Sequence, residues 1–204
     1  MTFPLELTSV LSGATAHQLR LWRGRGILVP EVSRDNPALY SYRDVVALRT
    51  IAFLRARTSM QNIGKAFDSM RLMQFTEHPA TYKFGLSGTS IVFQTPEGVT
   101  MDLSKNVGQM LLFTLEEIFE PYTNLNNETV VNFRRPKPHL EVDRGRLGGW
   151  PTIGSSRIAF DTIASLVDGE TVGLEDVAYY YPNVSAAAAQ DAIDFAGMVK
   201  AAVA

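Results

Sequence analysis

The chain has no cysteine. Disulfides, thiolate-held metals and cysteine nucleophiles are therefore excluded. Histidine is scarce: His17, His78 and His139 sit in different segments, and no two stand at the His-x-x-x-His spacing of a helical metal site. A Gly-x-Ser-x-Gly nucleophile elbow is missing, as is a phosphate loop ending in Gly-Lys-Ser or Gly-Lys-Thr. Asp161 and Asp168, seven apart on one expected helix face, have the spacing of ordinary exposed positions. Catalysis has no constellation to rest on, and the chain reads as a non-enzyme without cofactor or metal. No apolar run reaches the roughly 18 residues of a membrane span, so none is expected. The start, Met1-Thr2-Phe3-Pro4, lacks the basic and then apolar stretches of a secretory signal. A cytoplasmic location is the expectation.

What is present suits packed cores. Hydrophobic residues make up 46% of the 204 and charged residues 20%, a composition that argues against general disorder. The net charge of −2 conceals an uneven distribution. Residues 1–75 hold ten Lys or Arg against five Asp or Glu, residues 76–138 five against seven, and residues 139–204 four against nine. A basic head on an acidic tail directs nucleic acid to the head and another partner to the tail.

The head is specific in its detail. Gly13 breaks a short helix over residues 7–12, for which Thr8 or Ser9 can serve as cap. Thr15 stands where a helix N-cap belongs. Ala16, Leu19 and Trp22 fall at helical spacing and can face a core, which leaves His17, Gln18 and Arg20 projecting near the helix start. That is where the second helix of a helix-turn-helix touches base edges. Gly26 suits the left-handed turn after the helix. Ile27-Leu28-Val29-Pro30 reads as a strand-like exit, Asp35-Asn36-Pro37 as a turn, and Leu39-Tyr40-Ser41 as a returning strand, together a small β-wing. Two helices follow, over residues 42–57 and 59–70, the second with Met60, Ile63, Phe67 and Met70 on a core stripe. Base contacts fall to His17, Gln18 and Arg20, and phosphate contacts to Arg23, Arg25, Arg34 and Arg43, with Thr15 and Tyr40 supporting helix and wing.

Residues 7–67 resemble a MerR-type winged helix-turn-helix. Leu19-Arg20, Gly26-Ile27-Leu28-Val29-Pro30 and Tyr40-Ser41-Tyr42-Arg43-Asp44 carry the resemblance, in order and at the family's spacing. It implies binding of double-stranded operator DNA by two heads on two half-sites. The long dimerisation coiled coil of MerR regulators has no counterpart in this sequence, so metal or drug sensing is not implied.

Between head and tail, residues 76–128 read as a small α/β module. Ser90-Ile91-Val92-Phe93-Gln94 and residues 99–103 make a hairpin around Thr95-Pro96-Glu97-Gly98, and residues 83–86 can add a third strand. A helix is expected over residues 107–119, with its apolar face available for dimerisation. Glu116, Glu117 and Glu120 read as a solvated face. After the break at Asn124-Leu125-Asn126-Asn127, residues 130–133 look extended. Arg134-Arg135-Pro136-Lys137-Pro138 is held extended by its prolines, either as a linker or as a cationic piece for an acidic partner.

The tail, residues 129–204, resembles the small domain of unknown function found in VapB-type antitoxins encoded beside PIN-like toxins. Gly148, Gly149, Pro151, Ile153, Arg157, Ile158, Tyr181 and Pro182 match that pattern, and Ser155-Ser156 replace the usual Gly-Thr. Helices are expected over residues 159–167, 174–180 and 185–203. The resemblance implies a cognate PIN-like ribonuclease as partner, met by Arg134, Arg135 and Lys137 or by the aromatics Trp150, Tyr179, Tyr180 and Tyr181. Arg157 either locks its own turn or joins that surface. The fold class expected is mostly α with small β elements (α+β): an N-terminal winged helix-turn-helix over residues 1–75, the middle hairpin and helix, and a small helical HTH-like tail. The function implied is a type II antitoxin that silences its toxin and represses its own operon, as a homodimer or higher hetero-oligomer. The alternative is a stand-alone MerR-like regulator whose other domains sense a ligand or dimerise.

Overall fold

The computed structural model describes residues 1–75, 77–102, 110–167, 169 and 171–202. The head opens with β1 (Phe3–Pro4), α1 (Leu5–Ser12) and α2 (Ala16–Gly24), then β2 (Leu39–Tyr40), α3 (Tyr42–Arg55) and α4 (Met60–Leu72). A single 3-10 turn (Pro79–Thr81) leads to β3 (Lys83–Ser87), β4 (Ser90–Gln94), β5 (Thr100–Asp102) and β6 (Met110–Leu112), then α5 (Leu115–Phe119). The hairpin β7 (Tyr122–Thr123) and β8 (Thr129–Val130) follows. The tail holds β9 (Leu140–Glu141), a 3-10 turn (Leu147–Gly149), β10 (Thr152–Ile153), α6 (Phe160–Leu166), α7 (Val177–Tyr180) and α8 (Ala186–Ala201). The architecture is mixed α+β, as the sequence implies.

Several local expectations are corrected. α1 begins at Leu5, behind Pro4, so Thr8 and Ser9 lie buried inside the helix rather than capping it. Strand β2 pairs with β1, Phe3 opposite Tyr40, and not with residues 27–30. Those residues bury Ile27, Leu28 and Pro30 without joining a sheet, and a lone bridge between Ser33 and Leu39 closes the wing. The middle sheet has the order β5-β4-β3-β6, all antiparallel. The expected hairpin is β4–β5, with Thr95 N–H donating to Val99 O at 2.9 Å across a turn that holds Gly98 at φ +85°. Leu111 and Leu112, expected on a helix, sit on β6 instead. The helix starts only at Leu115, because Thr114 caps it reciprocally with Glu117. Val107 and Leu103 lie outside the described residues, as does Asp168, and α6 ends at Leu166.

The buried apolar residues form one cluster running from Phe3 through Trp22, Phe93 and Phe133 to Phe195. Buried with it is a cation. Arg49, on α3, is 0% exposed. Its Nε donates to Ile118 O at 2.8 Å, Nη1 to Leu11 O at 3.2 Å, and Nη2 to Glu120 O at 2.8 Å and Phe119 O at 3.3 Å. The guanidinium also lies 4.7 Å from the centroid of the Tyr122 ring. These carbonyls close α1 and α5, where the helix dipoles point their negative ends and the last acceptors are otherwise unpaired. Burial lowers the Arg49 pKa to about 10 and raises that of Tyr122 to about 12, so Arg49 stays charged and Tyr122 neutral near pH 7.

A second buried charge fixes the wing. Asp44, 0% exposed, accepts at Oδ2 from the N–H of Ser41 at 2.8 Å and of Glu31 at 2.9 Å. At 3.0 Å its Oδ1 faces His78 Nε2, while His78 Nδ1 accepts from Ala80 N–H at 3.2 Å. Nε2 is therefore the protonated nitrogen, and it donates to Asp44. The carboxylate thus ties the wing's entrance, the start of α3 and the chain leaving α4.

Two outcomes test these contacts. Arg49→Met leaves four carbonyls without their donor and lowers unfolding stability in urea by about 3 kcal/mol, the upper end for hydrogen bonds to a charged group. Arg49→Lys recovers only part, since an ammonium cannot span both helix ends. Asp44→Ala strips the N–H groups of Glu31 and Ser41 of their acceptor and costs about 2 kcal/mol in the same assay.

Candidate nucleic-acid interface

The turn before α2 is built by short side chains. Gly13 takes φ +76° and closes α1 by donating to Ser9 O. A Cβ there would lie 2.5 Å from Val130 Cγ1, so no other residue fits without displacement. Ser9 Oγ donates to Ala14 O at 2.7 Å, and Ala14 N–H donates to Ser12 Oγ at 3.2 Å. Thr15 then caps α2. Its Oγ1 accepts from Gln18 N–H at 3.2 Å, and Gln18 Oε1 accepts from Thr15 N–H at 2.9 Å. The cap commits the Gln18 carbonyl and leaves its amide NH₂ as the group free to reach a base.

Ala16, Leu19 and Trp22 are buried, and His17 and Arg20 are exposed beside half-buried Gln18. The helix therefore offers one polar face to solvent and anchors the other on Trp22. Its far end is clamped as well. Gly26 turns at φ +66°, and Arg71 of α4 donates to its carbonyl. Sequence reasoning gave Arg71 no role, because a contact 45 residues away has no local signature.

The cations of the head divide by what holds them. Arg25 is exposed, Arg34 retains 67% side-chain exposure beside Asp35 at 3.6 Å, and Arg43 retains 46% beside Glu31 at 3.7 Å. These three keep exposed guanidinium groups on the head. Arg23 differs from the expectation. Its Nη1 donates to Arg34 O at 2.8 Å and lies 3.6 Å from Asp35, so it clamps the wing to α2. Tyr40, expected to support the wing, is 1% exposed, and burial raises its pKa. It holds the base of the wing against Phe3. Glu31, Asp44 and His78 bring candidate metal ligands within 4.8 Å of one another. The Asp44 and His78 atoms are already committed to hydrogen bonds and Glu31 to Ser41 Oγ at 2.7 Å, so the trio serves as the wing clamp.

The tail residues expected to meet a partner are mostly occupied. Arg134 lies 3.8 Å from Glu116 and over the Phe119 ring, Arg135 lies 3.8 Å from Glu141, and Lys137 lies 3.9 Å from Asp194. The backbone N–H groups of Arg134 and Arg135 both donate to Asn132 Oδ1, and Pro136 is buried. The segment is a fixed part of the fold and not a free extended linker. Trp150 packs between Phe3 and Phe160, and its Nε1 donates to Asp161 at 3.2 Å. Tyr181 is half-buried, whereas Tyr179 and Tyr180 are 86% and 53% exposed and form an edge-to-face pair. Arg157 is exposed with no ion pair among the described residues. The lock expected of it is supplied by Arg146, which bonds Glu141, Asp143 and, at 2.6 Å, Gly154 O.

Tail and head share an interface. The ring of Tyr42, first residue of α3, lies where a side chain on Gly149 would be, 2.2 Å from that position. Gly149 holds φ +91°, so both space and backbone require glycine there. Helix α8 packs on α6 and reaches α1.

Residues 8–69 match the MerR HTH family of regulatory proteins. Residues 140–196 match a protein family of unknown function, DUF433. No match was found among curated proteins. The X-ray crystal structure of Rv2018 from Mycobacterium tuberculosis aligns with 94% of this chain and 96% of its own, at TM-score 0.52 and 15% identity, a likeness of fold. The chain therefore carries a MerR-family helix-turn-helix domain at its N-terminus and a DUF433 domain at its C-terminus.

Proposed function

We propose that this protein is an operator-binding repressor that acts as the antitoxin of a type II system, its head on DNA and its tail on a PIN-like ribonuclease. The observation that carries the DNA half is the exposed face of α2, where His17, Gln18 and Arg20 stand together at the helix start while Trp22 anchors the back. Arg25, Arg34 and Arg43 flank that face with cations suited to phosphates. One helix reads too few base pairs for a selective operator, so two heads bind two half-sites about one helical turn apart.

The protein-binding half rests on Tyr179 and Tyr180. Exposed aromatic side chains on an otherwise acidic tail make good anchors for a partner's pocket. Capture of the nuclease is by steric cover, since the structural pairing of Arg134, Arg135 and Lys137 does not leave them as a free cationic plug. The second reading is a stand-alone MerR-like regulator. It is favoured by the docking of the tail on the head through Phe3, Trp150 and Tyr42, which suits an internal structural role for the tail.

Two experiments bear on these readings. Arg20→Ala relaxes sequence preference in a gel-shift selection and costs about 1–3 kcal/mol of operator affinity; unchanged affinity and preference would remove α2 from the groove. Tyr179→Ser with Tyr180→Ser abolishes co-purification of the product of the adjacent gene while DNA binding persists. If the wild-type chain retains no neighbouring gene product at all, the stand-alone reading holds.

A further inference from the structure

The packing between the head and the middle module leaves a space. A cavity of about 180 Å³ lies between α3, the 3-10 turn, β3 and α5. Val46 and Thr50 of α3 line it with Phe84, Phe113 and Ile118, and all five are buried. Thr50 adds no free polar group, since its Oγ1 donates to Val46 O at 3.1 Å within the helix. Leu115, 48% exposed, marks the side open to solvent, and Lys83, also in the lining, is exposed. A buried water needs two to four polar partners, which the five buried side chains do not offer. An apolar cavity of about 150 Å³ stays dry and takes a benzene molecule. Volume and lining therefore fit one small neutral ring.

One wall of the cavity is tied to the wing. Ala80, in the lining, donates its N–H to His78 Nδ1 at 3.2 Å. His78 Nε2 donates in turn to Asp44 Oδ1 at 3.0 Å. The other carboxylate oxygen, Oδ2, holds the N–H groups of Glu31 at the wing's entrance and of Ser41 at its return. An unbroken line of hydrogen bonds thus runs from the cavity wall to both ends of the wing.

We propose that this cavity binds a small, neutral, apolar ring compound and that its occupancy tightens the wing. A filled cavity supports the turn that carries Ala80, and His78 and Asp44 pass that support to Glu31 and Ser41. The inference goes beyond the DNA-binding reading and is tested without DNA, so either can fail alone.

The test titrates benzene into the full chain, followed by thermal unfolding and by amide hydrogen exchange. Saturable binding raises the Tm. At ten times the Kd the openings that empty the cavity become about tenfold rarer, and exchange of the Glu31 and Ser41 N–H groups slows by a similar factor. Val46→Phe and, separately, Thr50→Leu fill the space, so a variant that still unfolds cooperatively shows no benzene effect. Intermolecular NOEs from benzene to the Ile118 methyl groups of the wild-type chain place the ligand even where neither variant folds. His78→Ala cuts the line without altering a lining residue: benzene still raises the Tm, and exchange at Glu31 and Ser41 no longer responds. No saturable binding by the wild-type chain overturns the site, as does undiminished binding by a folded filling variant or the absence of the Ile118 NOEs. Wild-type binding that leaves exchange at Glu31 and Ser41 unchanged, or an equal response in His78→Ala, overturns the coupling to the wing.

Discussion

The fold depends on a buried cation that no carboxylate among the described residues neutralises. Arg49 exchanges its hydration for four carbonyls at the ends of α1 and α5 and for the face of Tyr122. An unpaired charge in a protein interior is among the most costly things to bury. It is tolerated because two helix C-termini converge on it, each carrying partial negative charge and unpaired acceptors. The arrangement works only if α1 of the head, α3 and the middle segment are assembled together. A single side chain therefore joins the helix before the recognition turn to the module that follows the head.

Around that centre α2 and the wing are held by directed bonds more than by apolar area. The Thr15–Gln18 cap starts α2, Arg71 fixes its end at Gly26, and Arg23 ties it to the wing. Asp44, with His78 behind it, fixes the wing to α3. Arg23 is thereby spent on the wing, although the sequence offers it for phosphate. The surface left for nucleic acid is consequently narrower than the number of arginines suggests, and it is pre-organised, so little ordering cost falls on binding.

The DUF433 region is joined to the head by close packing. Gly149 admits the Tyr42 ring, and Trp150 is wedged between Phe3 and Phe160. The Gly-Gly-Trp-Pro stretch, residues 148–151, is the contact between the two regions. Next to that contact a cleft is lined by Tyr42 of the head and by Arg134, Arg135, Arg144 and Arg146.

The sequence by itself determined the elements with strong local signals. Thr15 and Gly13 bracket the recognition turn, Pro96 and Gly98 make the hairpin turn, and Ser185 starts the last helix, because caps and positive-φ positions are decided by a few adjacent residues. The exposure of His17 and Arg20 followed from helical period alone. Tertiary structure decided the rest. β6 was read as helix because a short apolar run has no period to distinguish it, and its pairing with β3 lies more than twenty residues away. β2 found its partner at the N-terminus rather than at its neighbour for the same reason. Which arginines are free and which are clamps was not legible, since Arg23, Arg49, Arg71 and Arg146 are distinguished only by acceptors that the folded chain brings to them. A local pattern can assign a residue to a surface or a core, but its hydrogen-bond partner is a property of the whole packing.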